Sequence, residues 1–397
     1  MKRLLSIATL YPNAHTPRFG TFVARQLEAL AARGDWDVTV INPVGTPPFA
    51  PERFLGRYAP LAAAAVSGVE NGVTVHRPRF TLIPAVGGPF NPMMITRAVL
   101  PLTRQLHATE PFDLVDAQFF YPDGPAAAAV ARELGLPLAI KARGADISHW
   151  GQKPYANRKM RAAAQQAAVL LSVSEALADD MAAIGLPRGK IQVHYTGLDR
   201  ESFRPMGRAD CRARLAAELG IPADGGPLIA SVGALIPRKG QRFVIEALPA
   251  LPGTRLALVG TGADKAMLEA LAVQLGLADR VHFLGSLDHA MLPVVLSAAD
   301  VMALPSASEG LANAWVEALA CGTPLVITNA GGARELVRDA NAGLIVERDA
   351  AAIAEGIKAV LSRAASPEQV AAAAAQFSWQ ANAARLAEIY ERIAASG

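Results

Sequence analysis

Short apolar runs alternate with amphipathic stretches along most of the chain. Leu4 to Leu10 reads as a buried strand. Phe22 to Arg33 carries apolar residues at helical spacing, and Gly34 is placed to stop that helix. Val38 to Asn42 is strand-like again, as are Leu114 to Gln118, Leu138 to Lys141 and Ala168 to Ser172. An alanine-rich helix is expected over Pro125 to Leu134. A second series starts near residue 227. It predicts strands at Leu228–Val232, Arg255–Val259, Val281–Leu284, Val301–Leu304 and Leu325–Thr328, with helices over Arg242–Leu248 and Met267–Leu275. A last helix is expected over Gln380 to Ile393.

Strands alternating with helices predict parallel sheets covered on both faces. Two such series predict an α/β chain of two doubly wound, Rossmann-like lobes, with a cleft between them. Ligands in such sheets bind outside the carboxyl ends of the strands. The join is expected in the turn-rich stretch Tyr195 to Pro205, which gives domains 1–198 and 199–376 followed by a segment 377–397. Two long loops are expected, the proline-rich Gly45 to Pro60 and the stretch Pro84 to Pro92 around Gly87-Gly88.

Composition narrows this picture. The 397 residues are 52% hydrophobic, but much of that is alanine, and no apolar run approaches the ~20 residues of a spanning helix. The amino terminus reads as a first strand, without the pattern of a secretion signal. Cys211 and Cys321 lie far apart, show no metal spacing and are expected to be plain thiols of a reducing cytoplasm. Charge is uneven: residues 1–198 carry 20 Lys and Arg against 14 Asp and Glu, and residues 199–397 carry 18 against 21. A basic first half suits an anionic acceptor or an anionic membrane surface. The seven histidines are scattered, so no metal is predicted. Asp35-Trp36-Asp37 lies at the amino end of a strand and reads as a solvated turn.

The densest candidate chemistry is Pro305-Ser-Ala-Ser-Glu309-Gly-Leu-Ala-Asn-Ala-Trp-Val-Glu317. A strand precedes Glu309, and a helix carries Glu317. A small-residue loop and a helix N-terminus make an anion site from backbone N–H groups. Carboxylates beside it repel phosphate but accept hydrogen bonds from hydroxyls, which a sugar nucleotide offers on both sides of its diphosphate. Val232-Gly233-Ala-Leu-Ile-Pro-Arg238-Lys239-Gly240 follows the first strand of the second series. Its two cations stand where a diphosphate leaving group would gain charge. Gly20 opens the first helix, where its backbone is suited to approach a phosphate. Val259-Gly-Thr-Gly262 reads as a tight strand-to-helix turn, because Lys265 replaces the third glycine of a dinucleotide fingerprint.

Together these segments resemble the retaining, metal-independent glycosyltransferases of family four, which have the GT-B fold and an E-x7-E motif. The resemblance is densest from Val232 to Asp349 and includes Arg280 to Gly285, Gly331 to Glu335, Asn341 to Glu347 and Phe377-Ser-Trp379. It implies that Glu309 contacts the transferred sugar and Glu317 the ribose. It implies that Lys239 with Arg238 holds the diphosphate, and that Gly310, Leu311 and Ala312 offer backbone N–H groups. Gly20, Gly233 and Asn313 complete the donor side. Arg143, Asp146, Gln118 and Tyr121 fall in segments that line the acceptor side. The last helix is implied to return to the first lobe. Three positions depart from the pattern: Ala234 stands where many members have arginine, Arg143 where many have histidine, and Gln118 where some have another histidine.

The resemblance implies transfer of a hexosyl unit, with retention, from a nucleoside diphosphate sugar, a UDP-sugar being favoured. The acceptor is expected to be a glycan or lipid-linked glycan hydroxyl in cell-surface polysaccharide synthesis. Cofactor and metal are expected to be absent, as is nucleic acid binding. The location is expected to be cytoplasmic, with peripheral contact at the inner membrane face. Two other readings stay open: a catalytically inactive GT-B partner protein, and a GT-B sugar-nucleotide epimerase.

Overall fold

The computed structural model describes residues 1–47, 66–83, 86–363 and 365–395. The chain divides into two compact units, 1–197 with 379–397, and 198–378.

The first unit is built on an eight-stranded sheet. Its order runs Ile191–Val193, Val169–Ser172, Leu138–Lys141, Leu114–Ala117, Lys2–Ile7, Trp36–Ile41, Val73–His76, Gly68–Glu70. Every neighbouring pair is parallel except the last. The central strands are buried along most of their length because helices cover both faces. Strand order reverses between Lys2–Ile7 and Leu114–Ala117, so the loops after these two strands part at a switch point. Leu4, Val23, Leu27, Trp36 and Val38 form a core completed by Leu386, Ile389 and Tyr390 of the last helix, Trp379–Ala394. Trp36 meets Tyr390 edge to face at 5.8 Å. Gly197 lies flat against Trp379, where a Cβ would stand 2.0 Å from the indole.

The second unit has a six-stranded, all-parallel sheet. Its order is Val281–Gly285, Arg255–Val259, Leu228–Val232, Val301–Leu304, Leu325–Thr328, Gly343–Val346. Numbered within the unit this is 3-2-1-4-5-6, the doubly wound order. Its switch point falls between Leu228–Val232 and Val301–Leu304. The Val259-to-Gly262 stretch is a tight turn leading to the helix Lys265–Gln274. A Cβ on Gly260 would lie 2.0 Å from the Gly233 carbonyl oxygen, and one on Gly262 2.1 Å from that of Leu235. These glycines let two loops touch and so fix the loop after Val232.

The structure adds elements that the hydrophobic pattern hid. Helix Asn91–Thr109 starts inside the stretch expected to be loop and continues through Pro101. Proline lacks a donor and opposes helix interiors, yet buried Ile95, Val99 and Thr103 hold this helix to the unit. Gly68–Glu70 and Val73–His76 form an antiparallel hairpin around Asn71-Gly72, both with positive φ. Val44–Thr46 pairs with Arg79–Thr81. The rest of the Gly45 to Pro60 loop beyond residue 47, and Pro84, lie outside the described residues.

Candidate donor and acceptor sites

In the second unit, the switch point gathers the predicted charged residues. The loop after Leu228–Val232 ends in a short turn, Pro237–Lys239, and the loop after Val301–Leu304 carries Glu309. Lys239 Nζ lies 2.5 Å from Glu309 Oε1, and Arg238 Nη1 lies 3.2 Å from Glu309 Oε2. Arg238 Nη1 also donates to the Ser308 carbonyl at 2.5 Å. Glu309 and Lys239 are largely buried, at 8% and 14% exposure, whereas Arg238 is 41% exposed. The two loops are stitched by Ala307 N, which donates to Arg238 O at 2.7 Å. Gly331, with φ of 51°, lets the next turn press on the Glu309-Gly310 backbone, and Gly332 N donates to Gly310 O.

The loop then enters the helix Asn313–Ala320 through buried Leu311 and Ala312. No side chain caps this end; the N–H groups of Trp315 and Val316 reach back to the Ala312 carbonyl. Glu317 lies on the same helix. Burial pushes its carboxyl up from 4.5 to about 7. Gly233 follows the first strand, and its N–H bonds Val259 O. The sequence-predicted donor residues of this unit, Gly233, Arg238, Lys239, Glu309, Gly310, Leu311, Ala312, Asn313 and Glu317, thus all belong to the loop and helix that meet at one switch point.

In the first unit the geometry is different. Gln118 follows Leu114–Ala117 and is buried. Its Oε1 accepts from Gln26 Nε2 at 3.0 Å and Arg143 Nη2 at 2.6 Å, and its Nε2 donates to Asp116 Oδ2 at 2.5 Å. Tyr390 OH also donates to Asp116 Oδ2. Lys141 Nζ donates to Gln26 Oε1 at 2.8 Å and meets His194 Nδ1 at 2.5 Å. His194 Nε2 faces the Asn382 carbonyl at 2.9 Å, which assigns the ring proton to Nε2. Burial holds both Lys141 and His194 well below their ordinary pKa values.

Asp146 is buried, and its carboxylate accepts from the backbone N–H groups of Phe120, Arg143 and Gly144. It ties together the loops after two strands. Tyr121 is also buried; its hydroxyl donates to Gly88 O at 2.6 Å, and its ring packs on Trp150. Of the four residues expected on the acceptor side, Gln118, Tyr121 and Asp146 are enclosed and engaged, and Arg143 alone keeps partial exposure. Burial lowers the Arg143 pKa to about 10, and its guanidinium sits 5.1 Å from the Phe22 ring.

Gly20 has φ of 75°, and a Cβ there would lie 2.5 Å from Leu10 backbone atoms. Local packing thus requires glycine at the head of the first helix. Asp35 pairs with Arg33 and Asp37 with Arg3. Among the described residues no three His, Cys, Asp or Glu side chains converge on a metal position. Cys211 and Cys321 are buried free thiols. No described helix is long and apolar enough to cross a membrane.

Two Rossmann-like units of these strand orders make the GT-B fold. The family model of "Glycosyl transferases group 1" matches residues 217–377, and that of "Glycosyltransferase Family 4" matches residues 19–202. The chain is 31% identical over 280 residues to the GDP-mannose-dependent alpha-(1-6)-phosphatidylinositol monomannoside mannosyltransferase of Mycolicibacterium smegmatis, covering 66% of this chain and 72% of that protein. It is 29% identical over 364 residues to the putative teichuronic acid biosynthesis glycosyltransferase TuaC of Bacillus subtilis, covering 89% and 88%. Anabaena Alr3699/HepE, solved in complex with UDP and glucose, shares the fold with a TM-score of 0.74 at 21% identity, over 99% of this chain and 100% of that one. The chain belongs to the GT-B glycosyltransferases.

Proposed function

We propose that the protein is a retaining, metal-independent hexosyltransferase that draws on a nucleoside diphosphate sugar. The observation that carries this reading is the Arg238–Lys239–Glu309 cluster at the head of an uncapped helix. The two cations neutralise Glu309. A diphosphate takes over those cations and frees the Glu309 carboxylate to accept hydrogen bonds from hydroxyls of the transferred sugar. Leu311 and Ala312, beside Gly310, offer backbone dipoles to the phosphates. Glu317, whose carboxyl burial pushes up to about 7, suits the ribose hydroxyls.

In the proposed step an acceptor hydroxyl oxygen bonds to the anomeric carbon on the face from which the diphosphate leaves. The bond from that carbon to the diphosphate oxygen breaks, and the electron pair leaves with the diphosphate. The acceptor proton passes to a departing phosphate oxygen. Arg238 and Lys239 stabilise the charge that develops there, so the protein supplies the cations itself. Glycan or lipid-linked glycan is the proposed acceptor class, with Arg143 as its contact on the first unit. The polysaccharide and phosphatidylinositol mannoside roles in the names of the relatives support that class. The net positive charge of residues 1–198 supports peripheral contact with an anionic membrane at the cytoplasmic face.

A panel of UDP-, GDP- and ADP-sugars, assayed for diphosphate release with and without acceptor glycans, tests the reading. A UDP-sugar is the first donor to try. Release that depends on acceptor and survives EDTA is expected. Release from UDP-N-acetylglucosamine with no acceptor would instead favour an epimerase, and silence across the panel an inactive partner protein.

A further inference from the structure

Arg348 lies between the strand Gly343–Val346 and the helix Ala350–Leu361, outside every segment assigned to the donor. Its guanidinium nevertheless reaches both loops of the switch point. Nε donates to the Pro305 carbonyl at 2.8 Å. Nη2 donates to the Pro237 carbonyl at 2.7 Å and approaches the Arg238 carbonyl at 3.3 Å. Pro305 opens the loop that carries Glu309, and Pro237-Arg238 is the turn that carries Lys239. The guanidinium carbon stands 4.9 Å from the centre of the Phe243 ring, which supports it from one side. Gly240 makes room: its φ is 77°, and a Cβ there would lie 2.3 Å from the Pro305 oxygen and 3.2 Å from Arg348 Nη2.

A planar fork with donors in fixed directions can bridge two carbonyl-bearing loops at a set separation. An ammonium is a single point and cannot hold both in the same way. The carbonyls that Arg348 engages lie on the turn that carries Lys239 and at the start of the loop that carries Glu309. We infer that Arg348 is a positioning residue for donor binding, a clamp that sets the distance between the Arg238-Lys239 turn and the Glu309 loop to that of a diphosphate. This rests on the donor-site reading above. The clamp acts through Lys239 and touches no substrate.

The test is a binding titration with UDP, GDP and ADP and their monophosphates, on wild type, Arg348→Met, Lys239→Ala and the double variant. The diphosphate that wild type binds should weaken about tenfold in Arg348→Met, against less than about threefold for its monophosphate. The double variant should bind that diphosphate no more weakly than Lys239→Ala alone, because one residue works through the other. Arg348→Lys should recover only part of the loss. Phe243→Leu keeps the guanidinium and removes its support; it should shift affinity the same way by a smaller factor, and it serves if Arg348→Met does not fold. The clamp is overturned if Lys239→Ala loses diphosphate affinity while Arg348→Met and Phe243→Leu do not. Equal losses for mono- and diphosphate, or additive losses in the double variant, overturn it too. If Lys239→Ala itself leaves diphosphate affinity unchanged, the donor-site reading fails and the clamp falls with it.

Discussion

Both units place polar side chains at a Rossmann switch point, but they do so in opposite ways. In the second unit the charges of two loops meet directly: Lys239 and Arg238 hold Glu309, and Arg238 remains 41% exposed. Under the proposed function those contacts are exchanged for the diphosphate. In the first unit the polar groups are sealed. Gln26, Asp116, Gln118, Lys141 and His194 are buried and bonded to one another, and Tyr390 and Asn382 of the last helix close the network. A buried network of this kind rigidifies and specifies a core. The same topology thus yields an ion cluster between two loops in one unit and a buried, hydrogen-bonded network beside the half-buried Arg143 in the other.

Substitutions of similar size should therefore act on different observables. Glu309→Gln should lower transfer by about 10²–10³, the scale of losing one preorganised polar group at a reacting centre, with the midpoint of thermal unfolding nearly unchanged. Near-normal turnover in that variant would remove the distinction on the donor side. Gln118→Leu should do the reverse. It leaves Arg143, Gln26 and Asp116 short of a partner and should cost about 2–4 kcal/mol of stability, read by denaturant unfolding, with nucleoside diphosphate affinity intact. A neutral effect would mean that the buried network is not tightly coupled.

Glu317 gives the smallest effect and one with a sign. Its carboxyl titrates near 7 in the fold and near 4.5 when unperturbed. Between those values the folded protein keeps a proton that the unfolded chain has shed, so this group lowers stability as pH rises through that window and adds nothing further above it. Glu317→Gln should therefore stabilise the protein by about 1–3 kcal/mol at pH 8, with the gain closing toward pH 4. A gain independent of pH would show that the carboxyl is not titrating as described.

Much of this contrast was readable from the amino-acid pattern, for a physical reason. Strands buried on both faces are continuous apolar runs, so Leu228–Val232, Arg255–Val259, Val301–Leu304 and Leu325–Thr328 appear at the predicted residues. Lys239 and Glu309 are expected together from the chemistry of a nucleotide sugar and the family resemblance, and the pairing of Leu228–Val232 with Val301–Leu304 brings their loops side by side. Helix Asn91–Thr109 was hidden because Pro92 and Pro101 break its local signal while tertiary packing retains it. The Asn71-Gly72 hairpin carried a local signal that went unused. Lys141 reads only as the end of a strand, His194 as part of a turn and Tyr390 as one aromatic in a helix. Their meeting depends on long-range packing that no local spacing encodes. Arg348 is hidden in the same way, since its partners are backbone carbonyls from distant loops.

The most direct test of the central claim is nucleoside diphosphate affinity in two variants of one ion cluster. If Arg238 and Lys239 are the diphosphate's cations and Glu309 is their stand-in partner, Lys239→Ala should weaken binding by at least about tenfold. Glu309→Gln, by removing the competitor, should bind equally well or more tightly. Loss of affinity in Glu309→Gln together with unchanged affinity in Lys239→Ala would contradict the account.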